Sequence, residues 1–230
     1  RTEMALHGNG MLITFTEVPA ETEEEFNEWY NREHIDERVW MPGFHRARRY
    51  VDATGSAKVK YFATYETDKP EDLSTPAYMA LLGDQSVWSK KIMAQFNKFD
   101  RLTCKITIDQ THGFGAAVSI ARFFPLEGRM DDLRRHMADT LLPSLIARPN
   151  MLGAFLAEND LDVSNEGAKA QGRPIPADQK SEWTVILEGA TVEAAKSALS
   201  VGFGDGLRDY SVAASDIETA DYLLMFGNNR

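Results

Sequence analysis

The sequence has a single cysteine, no long apolar run and fewer basic than acidic residues, and each shortage excludes a class of protein. Cys104 alone cannot form a disulfide within the chain or build a cysteine-rich metal site. No stretch of about 18 apolar residues exists, so we expect no membrane-spanning segment. The 25 Lys and Arg against 35 Asp and Glu give a net charge of −10, which disfavours a phosphate backbone, so we expect no nucleic-acid partner.

Motifs for common cofactors and nucleophiles are missing as well. There is no His-x-His or His-x-x-x-His pair, and Glu33 and His34 would point about 100° apart on a helix, so we expect no metal site. The absence of a Gly-x-Gly-x-x-Gly or phosphate loop disfavours a nucleotide, and the absence of Gly-x-Ser-x-Gly disfavours a serine hydrolase. The expected cofactor set is therefore empty. Residues 1–10 lack a signal-peptide core and predict a flexible N-terminus of a cytoplasmic protein.

What the 230 residues do contain is an internal repeat. A β-rich run ending at Pro19, a helical stretch, and the Pro42-Gly43-Phe44 segment return later in the same order around Pro125 and Pro149. Pro42 and Pro149 are 107 residues apart. Each half continues with a strand, a helix and a strand, which completes the ferredoxin-like βαββαβ order.

The repeat predicts an α+β protein made of two tandem ferredoxin-like units. The first unit spans residues 11–110 and the second spans residues 114–230. The second half carries an insertion at about 158–181 that is rich in Asn, Asp, Gly and Pro. This composition is typical of a surface loop, which in a compact domain is a lid, a binding loop or simply disordered.

The helix of the first half has ionisable side chains on or beside an aromatic face. At about 100° per residue, Phe26, Trp29 and Tyr30 share one side, Glu33 falls inside it, and His34 lies at its edge. The 107-residue offset pairs His34 with Leu141, which belongs to the apolar stripe of the second helix. A histidine at a core-facing position is either a hydrogen-bonded structural residue or part of a functional site.

The segment from Phe26 to Tyr50 resembles the EthD-like family of the dimeric α+β barrel superfamily. The resemblance is carried by Phe-Asn-Glu-Trp-Tyr-Asn-Arg-Glu-His at 26–34, then by Pro-Gly-Phe at 42–44 and Arg-Ala-Arg-Arg-Tyr at 46–50. It implies two ferredoxin-like units whose sheets face each other as a barrel within one chain, with helices outside and a pocket between a sheet and its helices. The superfamily includes cofactor-independent isomerases, cyclases, small monooxygenases and haem-binding members. The second half departs from the motif and is interpreted as a degenerate partner.

These patterns predict a site in the first half. His34 is the candidate general base or acid, since imidazole titrates near neutral pH. Glu33 would orient it or transfer a second proton, and the Tyr30 hydroxyl would donate to a developing oxyanion. The expected substrate-binding residues are Trp29, Phe26, Arg38, His45, Arg46 and Arg48. Strand alternation places Phe44, Arg46, Arg48 and Tyr50 on one face and His45, Ala47 and Arg49 on the other.

The predicted function is cofactor-independent proton transfer on a small apolar or aromatic molecule, as in an isomerase, lyase or cyclase of aromatic-compound catabolism. One alternative is a non-catalytic protein that binds a small ligand. Another is haem binding through an imidazole. We expect a small-molecule partner and a homodimer of the chain.

Overall fold

A computed structural model describes residues 6–230. This part of the chain forms eight strands and eight helices. The strands are β1 (Gly10–Glu17), β2 (Phe44–Asp52), β3 (Tyr61–Thr67), β4 (Lys98–Asp109), β5 (Ala117–Phe123), β6 (Met151–Asn159), β7 (Trp183–Gly189) and β8 (Glu218–Asn229). The helices are α1 (Glu23–Trp29), α2 (Ile35–Val39), α3 (Pro76–Gly83), α4 (Val87–Met93), α5 (Met130–His136), α6 (Leu142–Ile146), α7 (Leu161–Ala170) and α8 (Val192–Phe203).

The strands form a closed antiparallel barrel in the order β1-β3-β2-β8-β5-β7-β6-β4. The first four strands are neighbours in the order β4-β1-β3-β2, and the last four repeat this order as β8-β5-β7-β6. The pairs β2–β8 and β4–β6 join the two halves. Apolar side chains from both halves fill the barrel, among them Phe15, Tyr50, Phe62, Ile120 and Phe155.

The outer faces of the sheets are covered by helices. The first half buries Phe26, Trp29 and Ile35 against its sheet, and the second half buries Leu133, Met137 and Leu142 in the same way. This arrangement gives two outer apolar layers around the central barrel. No helix between residue 6 and residue 230 has the length and apolar character needed to cross a bilayer.

Several backbone irregularities recur at the 107-residue offset. A π-helical turn joins α1 to α2 at Tyr30–His34, and another joins α5 to α6 at Met137–Leu141. A residue with positive φ precedes the following strand in each half, namely Gly43 at 87° and Asn150 at 65°. These are the residue types that tolerate the left-handed region. The second strand of each half then begins with a register shift.

The register shift in β2 corrects the predicted alternation of its side chains. The β-bulge lies between Phe44 and Arg46, and a bulge shifts the alternation by one residue. Phe44 therefore packs under the helices, with its ring centroid 5.1 Å from that of Tyr78, on the same side as Ala47. Arg46, and Arg48 after it, point into the barrel instead.

The expected loop at 158–181 contains a helix. Asp160 caps α7 by accepting a hydrogen bond from the backbone N–H of Val163 at 3.1 Å, and the Val163 side chain is buried. Val163 belongs to the apolar layer of the first half, so α7 docks the insertion onto the opposite half of the barrel. At the N-terminus, residues 1–5 of the predicted flexible segment 1–10 lie outside the described residues, whereas Leu6 is buried and Gly10 begins β1.

Candidate active site

A cavity of about 220 Å³ lies between the sheet and the helices of the first half. Its floor is the outer face of β1, β3 and β4, from which Leu12, Thr14, Tyr65 and Arg101 project. One wall is formed by the chain from α1 to α2, and the other by α3, α4 and the residues that follow them. The lining is largely aromatic and aliphatic, and it includes no Asp or Glu of the part of the chain that the structure describes. A cavity of this size holds a small organic molecule.

The π-helical turn directs the His34 side chain towards this cavity. An i→i+5 turn has more residues per turn than an α-helix, so residue 34 lies closer beneath residue 30 than α-helical spacing would place it. His34 is 9% exposed, and its ring centroid lies 4.2 Å from that of Trp29 and 4.9 Å from that of Tyr30. The wide turn thus places an imidazole among the aromatic residues of α1.

Burial makes His34 an uncharged imidazole at neutral pH. The pKa of His34 is held well below 6.5, first because burial penalises the charged ring and then because the Arg38 and Arg49 cations repel it. Within residues 6–230 its Nδ1 atom has no hydrogen-bond partner. A neutral imidazole nitrogen with a free lone pair can accept a proton, which is the property that a general base requires.

Two tyrosines stand beside His34. The ring centroid of Tyr65 lies 6.3 Å from that of His34, and burial together with the neighbouring Tyr30 raises the pKa of Tyr65 well above 10. Its hydroxyl therefore stays protonated and can donate a hydrogen bond. The guanidinium of Arg49 lies 4.5 Å from the ring centroid of Tyr30 and donates to Asn27 at 2.7 Å and Asn31 at 2.9 Å.

The Glu33 carboxylate bonds to α4, and among residues 6–230 no hydrogen bond joins it to His34 as the prediction would require. The carboxylate accepts hydrogen bonds from the hydroxyls of Ser86 and Ser89, the latter at 3.1 Å, at the start of α4. The Ser89 hydroxyl in turn accepts from Trp29 Nε1 at 3.0 Å. The π-helical turn rotates Glu33 away from the cavity-facing side. Its hydrogen bonds connect α4 to this turn instead.

The predicted substrate-binding residues separate into two groups. Trp29 and Arg38 line the cavity, and Arg38 also donates to Glu37 at 3.0 Å. Phe26 is buried beneath Tyr30, with ring centroids 5.0 Å apart, and supports the wall without lining it.

His45, Arg46 and Arg48 lie outside the lining of this cavity, although they are predicted to bind substrate. His45 pairs with Asp68 at 2.5 Å and is partly exposed. The bulge turns the two arginines inwards, where Arg46 pairs with Glu66 and Arg48 with Glu188, both buried.

Comparison with known proteins rests on structure alone, because no protein-family profile and no curated protein sequence matches the chain. An anthrone oxidase-like protein superimposes with a TM-score of 0.64 at 10% identity, covering 96% of this chain and 92% of its own. A protein from Lactobacillus acidophilus proposed to be a monooxygenase gives 0.60 at 10% identity, covering 96% of each chain. A protein from Fusobacterium nucleatum proposed to have the same activity gives 0.57 at 11% identity, covering 98% and 96%. This chain has the dimeric α+β barrel fold.

The second half of the α+β barrel also contributes to the cavity, which sequence reasoning missed. Gln171 and Arg173, just after α7, lie at its rim. The composition of the 158–181 segment indicates a loop but does not distinguish a binding loop from a lid or a disordered segment. The sequence around Arg101 gives no indication that this residue lines a cavity, because it does not differ from that of a solvent-exposed strand.

The side chains of the described range offer no ready-made metal site. Between residues 6 and 230, no group of three His, Cys, Asp or Glu side chains converges closely enough to hold an ion. The polar groups that line the cavity are imidazole, hydroxyl, amide and guanidinium groups.

Proposed function

We propose that this α+β barrel is a cofactor-independent enzyme that moves a proton on a small aromatic or apolar substrate. The observation that carries the proposal is His34, a buried and uncharged imidazole that opens onto an aromatic cavity. A base that needs no deprotonation before it acts is suited to abstracting a proton from a carbon acid. Isomerisation, elimination and cyclisation all begin with this step.

The chemical step uses only groups of this chain. His34 takes a proton from the carbon next to a carbonyl, the C–H electron pair moves into an enolate, and the ring becomes an imidazolium. A hydroxyl of Tyr30 or Tyr65 donates to the enolate oxygen and stabilises the new charge. The imidazolium then returns the proton to another carbon, to the group that the enolate expels with its bonding electron pair, or to the oxygen left negative when the enolate carbon closes a ring on a carbonyl. None of these steps oxidises or reduces the substrate overall, so no redox partner is required.

The volume of the cavity does not favour haem. Drug-sized ligands fill cavities of about 300–1,000 Å³, and haem is larger than such a ligand, whereas the cavity measures about 220 Å³. The haem-binding alternative therefore receives no support from the geometry.

The proposal also includes how the two halves of the barrel are related. We take the two halves to be tandem ferredoxin-like repeats of the EthD-like type, with the second half degenerate. The common strand order and the recurrence of the π-helical turn at an offset of 107 residues support this interpretation. The second repeat has Leu141 where the first has His34, which explains why one half alone would carry the base.

Proton exchange tests the proposed function without knowledge of the product. The purified protein is incubated in D₂O with a panel of aromatic ketones, aryl acids and unsaturated lactones, and NMR follows loss of the carbon-bound proton. We expect exchange in at least one compound with the wild-type protein and loss of that exchange in His34→Gln. An oxygen electrode run in parallel should show no O₂ uptake.

The outcomes separate the alternatives. Binding of a compound without any exchange would favour the non-catalytic ligand-binding function. O₂ uptake would contradict simple proton transfer and would favour an oxidation, in line with the names of the structural neighbours.

A further inference from the structure

We infer that the substrate is a small aromatic acid whose anionic group is bound by Arg101 from the cavity floor and by Arg173 from its rim. The inference rests on the proposed function, because it names the substrate class of the same site. It comes from charges and contacts that the proton-transfer step does not use.

The charge of the cavity is opposite to that of the whole protein. The chain has 35 acidic against 25 basic residues. Nevertheless the cavity is lined by three arginines, Arg38, Arg101 and Arg173, and among residues 6–230 no carboxylate joins them there. A cluster of one sign inside a low-dielectric cleft focuses the field on a ligand of the other sign.

The three arginines differ in how far they are neutralised. Arg38 is buried and ion-paired with Glu37 at 3.0 Å, so its charge is already partly compensated. Arg101 donates to the uncharged hydroxyl of Tyr78 at 2.9 Å. Arg173 forms no side-chain hydrogen bond or ion pair with the described part of the chain. A guanidinium carries five N–H donors, so Arg101 and Arg173 have donors to spare for an anion.

Arg101 is held ready for such a ligand. It projects from β4 on the cavity floor, opposite Thr14 of β1 in the strand register. Its guanidinium lies 5.7 Å from the ring centroid of Tyr78, whose hydroxyl fixes one end of the fork. Because the Arg101 side chain is already held in place, it loses little conformational entropy when it binds a carboxylate, and this strengthens binding.

Arg173 comes from the other half of the barrel and is positioned by α7. The Val163 side chain anchors this helix in the apolar layer of the first half. The backbone N–H of Arg173 donates to the carbonyl of Ala168 at 2.8 Å, which closes the turn after the helix. The insertion thus supplies the second cation at the cavity rim.

An aromatic acid matches both the arginines and the aromatic wall of the cavity. With its carboxylate at Arg101 and Arg173, its ring lies against the aromatic wall that includes Trp29 and Phe96.

Phenylacetate and its uncharged isostere phenylacetamide test the inference by isothermal titration calorimetry. We expect phenylacetate to bind the wild-type protein, and phenylacetamide to bind about 10- to 100-fold more weakly, as the loss of hydrogen bonds to a charged group implies. Arg101→Gln and Arg173→Gln should each weaken phenylacetate about tenfold and leave phenylacetamide unchanged. Arg173 is exposed, so its replacement is a test that does not depend on the fold.

A matched control removes the same charge elsewhere. Arg135→Gln changes an exposed arginine of α5 and should leave both affinities unchanged. His34→Gln should retain phenylacetate binding, so a failed catalytic proposal and a failed anion site give different results. Equal affinity for acid and amide, no binding of either at millimolar concentration, or full affinity in both Arg101→Gln and Arg173→Gln would overturn the inference.

Discussion

Replacing His34 with glutamine is expected to lower the rate of proton transfer by about 10²- to 10⁴-fold while the protein stays folded. Glutamine keeps a hydrogen-bonding side chain of similar reach in the turn at Tyr30–His34, but it cannot accept and return a proton near pH 7. The loss corresponds to about 3 to 5 kcal/mol of transition-state stabilisation. Steady-state kinetics on the compound found by exchange, together with circular dichroism and thermal unfolding of each variant, give the comparison.

Two further variants make the result specific to His34. His136→Gln changes a histidine that stacks on Tyr210 in the second half, with ring centroids 5.1 Å apart, and should leave the rate unchanged. Glu33→Gln should lower stability more than rate, because Glu33 bonds to Ser86 and Ser89 and not to the base. Near-normal activity of His34→Gln on the true substrate would remove the catalytic role of this residue.

Removing one partner of the Arg48–Glu188 pair is expected to cost about 3–5 kcal/mol of stability. The pair joins β2 of the first half to β7 of the second across the barrel interior, with the two charged groups 2.7 Å apart and both side chains at most 4% exposed. Arg48→Met leaves the Glu188 carboxylate buried without its cation, and the reverse holds for Glu188→Met. Chemical denaturation of each single variant measures the cost.

The double variant Arg48→Met/Glu188→Met shows whether the cost belongs to the pair. Because both charges are then gone, we expect it to recover most of the stability lost by either single change. The exposed pair between Arg32 and Glu28 on the first helix is the matched control, and Arg32→Met should change stability little. A double variant as unstable as the sum of the single variants would show that the residues do not act together.

The order of the elements could be predicted because it depends on signals that lie close together in the chain. Proline marks the same boundaries in both halves, at Pro19 and Pro125 and at Pro42 and Pro149, and the aromatic residues of α1 recur at helical spacing. The position of His34 could be predicted for a related reason. Its counterpart Leu141 is apolar, so the repeat itself indicated that the position faces inwards.

The rest could not be predicted because it depends on local departures from regular geometry. The π-helical turn moves Glu33 out of the face that regular helical spacing predicts for it, and the bulge before Arg46 shifts the alternation of the strand arginines so that they point into the barrel. Each irregularity inserts one extra residue and so changes the directions of the side chains. Regular helical or strand periodicity cannot predict such a change. The positions of Arg101 and Arg173 depend on contacts between β4, α7 and the first half, which arise only when the barrel is closed.

The most direct test of the account is an NMR titration of the His34 ring in the ligand-free protein, assigned by comparison with His34→Gln. Burial and the cations of Arg38 and Arg49 lower its pKa, so the ring should remain uncharged as the pH falls through 6.5 and take up a proton only well below that value. This result would establish an uncharged base in the cavity. A ring that titrates at or above the ordinary histidine pKa of about 6.5 would contradict the account.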